Sequence, residues 1–317
     1  MKQVVLYFPG QGAQHLGMLA DLAQQYPIIK ETFEQASRAI GQDLWALVQN
    51  GPAEELNLTV NTQPILVAAS AAIWNVIQQE VGDEINVIAA AGHSVGEYSA
   101  LYAAGILSLQ DAVRLVKKRG ELMDTAVPAG EGGMAAILGL DRQQIEQVCN
   151  DASNAGIVEP ANFNAPGQIV IAGTDAGIKQ ACLLAKEAGA KRALPLQVSG
   201  PFHSSLMRQA AEPFVEALAG VEWSLAKFDV YHNATNAISS VEDMKQRLVE
   251  QLYSPVNWIG AVEASSHGAE LAIEVGPGKV ISGLNKRINK SLTTLSTGDC
   301  ASFEKLLSAI KGENNDG

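Results

Sequence analysis

Apolar and polar positions follow two rhythms along the chain. Short continuous apolar runs occur at VVLYF (4–8), INVIAAA (85–91), FDVYHN (228–233) and ELAIEV (270–275), with a last one near Thr293–Leu295. Runs of this kind are the pattern of strands buried on both faces. Between them, apolar residues recur at helical spacing from about Leu16, then over Ile28–Ile40, Leu44–Val48, Gln63–Val81, 95–104 and 109–126. The same spacing returns over Ser205–Leu218, Val241–Leu252, Trp258–His267, a stretch beyond Gly278, and Ala301–Ile310. Strands that alternate with helices predict an α/β protein with a largely parallel sheet. After the turn-rich VPAGEGG (127–133) the order changes: strand MAAILGL, helix DRQQIEQVCNDASNA, strands IVEPAN and QIVIAG, helix TDAGIKQACLLAKEAG and strand KRALPLQV. That β-α-β-β-α-β sequence is the ferredoxin-like split βαβ order. The pattern therefore predicts a small subdomain, 127–198, inserted into a larger discontinuous one, 1–126 and 199–312, with a flexible tail at 313–317.

Composition narrows the class. The chain has 317 residues, 47% of them hydrophobic and 18% charged, enough to bury a large core. Its net charge of −12, from 34 acidic and 22 basic residues, argues against nucleic acid as a partner. The dense basic clusters are VKKRG (116–120) and LNKRINK (284–290). They read either as solvated helix faces or as a local patch for an acidic partner. Cys149, Cys182 and Cys300 are widely spaced with no CxxC pair, which fits a reducing compartment and neither a disulfide framework nor a zinc site. No apolar run approaches the roughly 20 residues of a membrane span, and MKQVVLYFPGQG does not read as a signal peptide. A cytoplasmic protein without a membrane partner is the expectation.

Gly92-His93-Ser94-Val95-Gly96 sits between the strand at 85–91 and the helix at 95–104. A G-x-S-x-G in that context is the nucleophile elbow of α/β-hydrolase-like folds, which makes the larger subdomain α/β-hydrolase-like. The elbow holds a serine in a strained turn with its hydroxyl exposed, and the Val95 N–H, at the helix N-terminus, points where an oxyanion develops. A plain strand-to-helix turn uses the same residue types. The base must come from His15, His93, His203, His232 or His267. His93 is adjacent to Ser94, where side chains diverge, which suits a structural partner. His203 lies in VSGPFHSSLM (198–207), a loop bounded by Gly and Pro, where α/β scaffolds carry chemistry. It reads as a base or as a half-buried loop histidine.

Seven stretches, in order, carry a resemblance: FPGQGAQ (8–14), AGHSVGEYSAL (91–101), VKKRGELM (116–123), ANFNAPGQIVIAG (161–173), GPFHSSLM (200–207), QLYSPVNW (251–258) and EVGPGKV (274–280). Together they resemble the signatures of bacterial malonyl-CoA:acyl carrier protein transacylases. The resemblance implies ping-pong acyl transfer, with Ser94 as nucleophile and His203 as base. It assigns the main-chain carbonyl that orients the histidine to Gln251, and the second oxyanion donor, beside Val95, to the Gln11 N–H. It makes Arg119 the partner of the substrate's free carboxylate, a task suited to a planar guanidinium. Asn162, Phe202, His93 and Met123 follow as substrate-pocket residues, with Phe202 marking malonyl over methylmalonyl. The implied substrates are malonyl-CoA and a phosphopantetheinylated acyl carrier protein. No cofactor and no metal is implied, and the enzyme is expected as a monomer that docks its carrier through Lys117, Lys118, Lys286 or Arg287. The Gly276-Pro277-Gly278 turn lacks Walker spacing and reads as support for the site.

A serine hydrolase shares the elbow, base and oxyanion hole, and a non-catalytic binding module would not need Ser94 or His203. Fatty-acid synthesis, stand-alone polyketide loading and malonate decarboxylase charging all use this enzyme type, and the motifs do not choose among them.

Overall fold

A computed structural model describes residues 1–238 and 240–312. The predicted tail at 313–317 lies outside the described residues. Among those described, nine strands run in chain order as β1 (Lys2–Phe8), β2 (Ile85–Gly92), β3 (Gly132–Leu138), β4 (Val158–Ala165), β5 (Gln168–Thr174), β6 (Arg192–Pro195), β7 (Asp229–Tyr231), β8 (Leu271–Glu274) and β9 (Thr294–Ser296). They form a five-stranded sheet, β7-β2-β1-β8-β9, and a four-stranded sheet, β4-β5-β3-β6. Every pairing in the first is parallel, and every pairing in the second is antiparallel.

The continuous apolar runs follow from coverage of the parallel sheet on both faces. From β1, Val4, Leu6 and Phe8 pack into a core shared with Leu66, Ile73 and Val113, while Val5 and Tyr7 pack on the other side with Trp258, Val262 and Ile281. The small sheet has its own core, centred on Ile137, Ile145, Val148, Ile171 and Ile178. The small sheet is stitched to the segment between the helices Val241–Tyr253 and Trp258–Ser265, where Phe163 N–H donates to Val256 O (2.9 Å) and Val256 N–H to Ala161 O (2.8 Å). That stitch fixes the β4 residues Asn162 and Asn164 beside the end of the parallel sheet.

The helix Thr59–Val81 is long and apolar enough to cross a membrane by length and composition, contrary to the expectation from the runs, but 89% of its apolar window is buried in the fold. It packs tightly on the helix Leu109–Thr125. A side chain at Gly120 would come within 2.9 Å of Val60 Cα, so glycine there lets the two helices approach. This close approach brings Arg119 beside Gln63.

Some predicted elements differ. The helix expected from Leu16 is a series of turns ending in the single-turn helix Leu22–Gln25, because Gly17 (φ 75°) and Leu19 (φ 62°) are left-handed. The helix expected from Gln63 begins at Thr59, so Pro64 sits inside it. Residues Ser205–Ala210 form a 3₁₀ segment before the helix Ala211–Ala219. The strand expected over 191–198 is regular only over Arg192–Pro195, with the Lys191 and Leu196 N–H groups still donating to Leu138 O and Met134 O at its two ends. The run at 228–233 pairs only over Asp229–Tyr231, which releases His232 and Asn233 from the sheet.

Candidate active site

β1 and β2 run side by side, with Phe8 opposite Gly92, and each ends in a turn at the same edge. His93 N–H donates to Phe8 O (2.9 Å), which locks the elbow after β2 to the PGQG turn after β1. The glycines make the elbow possible. A Cβ at Gly92 would overlap the Gly96 carbonyl group, and one at Gly96 would overlap Phe8 O. Ser94 itself is left-handed, at φ 52°, an uncommon conformation for a residue with a side chain. Its strain is held from both sides: Ser94 N–H donates to Asn233 Oδ1 (2.7 Å), and Gln251 Nε2 donates to Ser94 O (3.1 Å). The helix Gly96–Ala103 starts at once, which sets the Val95 N–H at its N-terminus.

His203 is held by the end of another helix. The last carbonyls of Val241–Tyr253 have no partner within that helix. Gln251 O accepts from His203 Nδ1 (2.8 Å), and Leu252 O from the His203 N–H (3.2 Å). The proton on Nδ1 leaves Nε2 bare, and the Ser94 hydroxyl lies 2.7 Å away to donate to it. Serine, histidine and a main-chain carbonyl thus form a triad with no carboxylate as third member. His203 is 3% exposed, and its pKa is pushed down to about 3, first by burial and then by the Arg119 charge, against the pull of the Gln251 carbonyl. It is therefore a neutral base across the physiological range.

Arg119 is 1% exposed and borders the same hydroxyl. Nη2 donates to Ser94 Oγ (3.1 Å) and to Gln251 Oε1 (2.9 Å), and Nη1 donates to Gln63 Oε1 (2.8 Å). Its acceptors are amide and hydroxyl oxygens; among the described residues no carboxylate forms an ion pair with it. Nε has no partner. A buried cation held by neutral groups keeps its charge for an incoming anion.

A cleft opens over Ser94, lined by Gln11, His93, Asn162, Asn164, Phe202 and His203, with Met134, Val170, Leu196 and Val198 as its apolar wall. The structure thus brings together Ser94, Val95, His203, Gln251, Arg119, Gln11, Asn162, Phe202 and His93. His93 Nε2 lies 2.7 Å from Asn164 Oδ1 and its ring packs on Trp258, which suits the structural partner the adjacency predicts. Met123 does not line the cleft. It is buried behind Arg119, with its sulfur accepting from Gln63 Nε2 (3.8 Å). After Gly276-Pro277-Gly278, the N-terminus of the helix Val280–Ile288 is occupied by the Glu274 carboxylate, which accepts from Ile281 and Ser282 N–H, so no anion site is open there.

The basic clusters engage different parts of the fold. Lys117 donates to Gln42, Lys118 pairs with Glu121, Lys286 is exposed, and Arg287 reaches Pro166 O and Gln168 on the β4–β5 turn. Sequence reasoning passed over Gln63, Glu97, Asn164 and Asn233, and weighed His232 only as one of five possible bases. Only Glu97 carried a local signal, as the one acid in an otherwise apolar helix.

Known proteins are similar to this chain over nearly its whole length. The family model described as acyl transferase domain matches residues 5–283. A malonyl CoA-acyl carrier protein transacylase of Haemophilus influenzae is 50% identical over 305 residues, 96% of this chain and 97% of that protein. One from Bacillus subtilis is 45% identical over 318 residues, 99% of each. A crystal structure of an acyl carrier protein S-malonyltransferase from Vibrio cholerae matches with TM-score 0.91 and 49% identity, covering 96% of this chain and 100% of that one. A malonyl-transacylase solved in complex with a type II PKS acyl carrier protein matches with TM-score 0.93 and 46% identity, covering 99% and 100%.

Proposed function

This chain belongs to the acyl transferase family, among the malonyl CoA-acyl carrier protein transacylases, and from that premise we propose that it carries a malonyl group from coenzyme A to an acyl carrier protein through a malonyl-Ser94 ester. The observation that carries the substrate assignment is Arg119: a buried guanidinium without a carboxylate partner, 3.1 Å from the nucleophilic oxygen. A malonyl carboxylate pairs with it; an acetyl group leaves it unpaired.

In the first half-reaction Ser94 Oγ gives its proton to His203 Nε2 and bonds to the thioester carbon. The oxyanion faces the Val95 and Gln11 N–H groups, and collapse breaks the C–S bond, with the coenzyme A thiolate taking the proton from His203. In the second, the carrier's phosphopantetheine thiol gives its proton to His203, its sulfur attacks the ester carbon, and Ser94 Oγ leaves and is reprotonated. Burial is the larger cause of the lowered His203 pKa and persists, but the malonyl carboxylate offsets the Arg119 charge that adds to it, so a bound substrate raises the base's proton affinity. The scheme uses no cofactor or metal. We place the enzyme in the cytoplasm as a monomer that supplies extender units for fatty-acid synthesis, docking its carrier through Lys117, Lys118, Lys286 or Arg287.

The test is to load the protein with labelled malonyl-CoA, isolate the acyl-enzyme, and divide it between holo carrier protein and buffer. Transfer to the carrier faster than release of free malonate is the expected result. Faster release makes the protein a serine acyl hydrolase.

A further inference from the structure

Behind the triad lies a buried carboxylate that the acyl-transfer scheme does not use. Glu97, in the first turn of the helix after Ser94, is fully buried. Its oxygens accept from His232 Nδ1 (2.5 Å), the Asn233 N–H (3.0 Å) and Gln251 Nε2 (2.7 Å). A carboxylate only accepts, so it fixes the orientation of each donor, and the helix N-terminus favours its negative charge.

The donor that matters is the Gln251 amide. Its two ends are chemically opposite and geometrically almost interchangeable. Because Nε2 is drawn to Glu97 and to Ser94 O, Oε1 must face the other way, and there it accepts from Arg119 Nη2. A flipped amide would set two N–H groups against a buried cation. We propose that Glu97 is a positioning residue for acyl selection: by setting the polarity of the Gln251 amide it aims Arg119 at the acyl group on Ser94. The base is spared, because His203 hangs on the main-chain carbonyl of Gln251 rather than its side chain. The inference rests on the reading of Arg119 as the carboxylate partner.

Single-turnover acylation by malonyl-CoA and by acetyl-CoA tests it, in the wild type, Glu97→Gln, Gln251→Met and the double variant. Glu97→Gln keeps the volume but turns one of the two acceptor oxygens into a donor, so the three donors around it, Gln251 Nε2 among them, compete for a single acceptor. The malonyl-to-acetyl rate ratio should fall about ten- to a hundredfold, the worth of one hydrogen bond to a charged group. Gln251→Met should lower the ratio as much, and the double variant no further, since both act through one relay. A general loosening of the elbow would instead lower both rates together and leave the ratio intact, and that result overturns the proposal. Should Glu97→Gln fail to fold, an unchanged ratio in Gln251→Met overturns it equally. A wild type that does not prefer malonyl would refute the reading of Arg119 itself, a distinct outcome.

Discussion

Replacing Arg119 by methionine removes the charge while keeping most of the volume of a side chain that is 1% exposed. In the free enzyme the loss strands two amide oxygens, Gln63 Oε1 and Gln251 Oε1, which the guanidinium reaches at 2.8 and 2.9 Å. With malonyl-CoA the substrate carboxylate is then buried without a cation. Breaking a buried pair from one side costs about 3–5 kcal/mol, and at about 1.4 kcal/mol per decade that is a fall of roughly two to three and a half decades in malonyl acylation. Acetyl-CoA brings no carboxylate. Its acylation rate should hold or rise, because the neutral acyl group no longer faces an unpaired cation. The assay is quenched-flow acylation of Ser94 with each thioester, and the readout is the ratio of the two rates. An equal loss for both substrates would show that Arg119 shapes the pocket without reading the carboxylate, and the reasoning would fail.

The base gives a second expectation: His203→Ala should slow acylation by about 10²- to 10⁴-fold, the usual range for a positioned general base, and a smaller loss would point to another proton acceptor. The folded-state pKa of His203 lies near 3, below its ordinary 6.5, so the base form persists as pH falls and is lost only as pH passes through about 3. The pH profile of acylation should show no acid limb near 6.5, and Arg119→Met, by removing the second-largest cause of the depression, should move the limb upward; a limb fixed at 6.5 in both would contradict this. The same shift works against stability in acid. Between about 6.5 and 3 an unfolded chain protonates this histidine while the folded one does not, so His203 lowers stability progressively as pH falls through that window. Gly92→Ala should cost about 1–3 kcal/mol, the range for an overpacked core, read as a lower melting midpoint, because its Cβ meets the Gly96 backbone. Docking through lysines and Arg287 predicts that transfer to the carrier slows with added salt while acylation by malonyl-CoA changes less; equal salt response of both steps would remove the patch.

What could be read along the chain was what neighbouring residues decide. The elbow was legible because its requirements are local: a strand, two glycines flanking the serine and a helix, all within residues 85–104. The split βαβ order was legible for the same reason, since strand and helix periods switch in plain view between 134 and 195. Arg119 was visible only through the family resemblance; alone, it closes a Lys-Lys-Arg run that reads as a solvated helix face. Its role depends on Gln63, 56 positions away, and on Gln251, 132 positions away. The contacts that hold Ser94 in its strained turn come from Asn233 and Gln251, 139 and 157 positions along the chain. No pattern in the sequence ties residues so distant, and Asn233 hid at the end of an apolar run that reads as strand to its last residue. The early helix at Leu16 failed for a local reason, since a leucine at positive φ gives no warning in composition.

The covalent intermediate is the most direct measurement of the whole account. After brief exposure to malonyl-CoA without carrier, intact-protein mass spectrometry should show one added malonyl group, located by peptide mapping on Ser94 and absent in Ser94→Ala. Addition of holo carrier protein should return the mass to its starting value as the carrier gains the group. A protein that transfers malonyl to the carrier with no mass increment at any time, or with the increment on another residue, would contradict it.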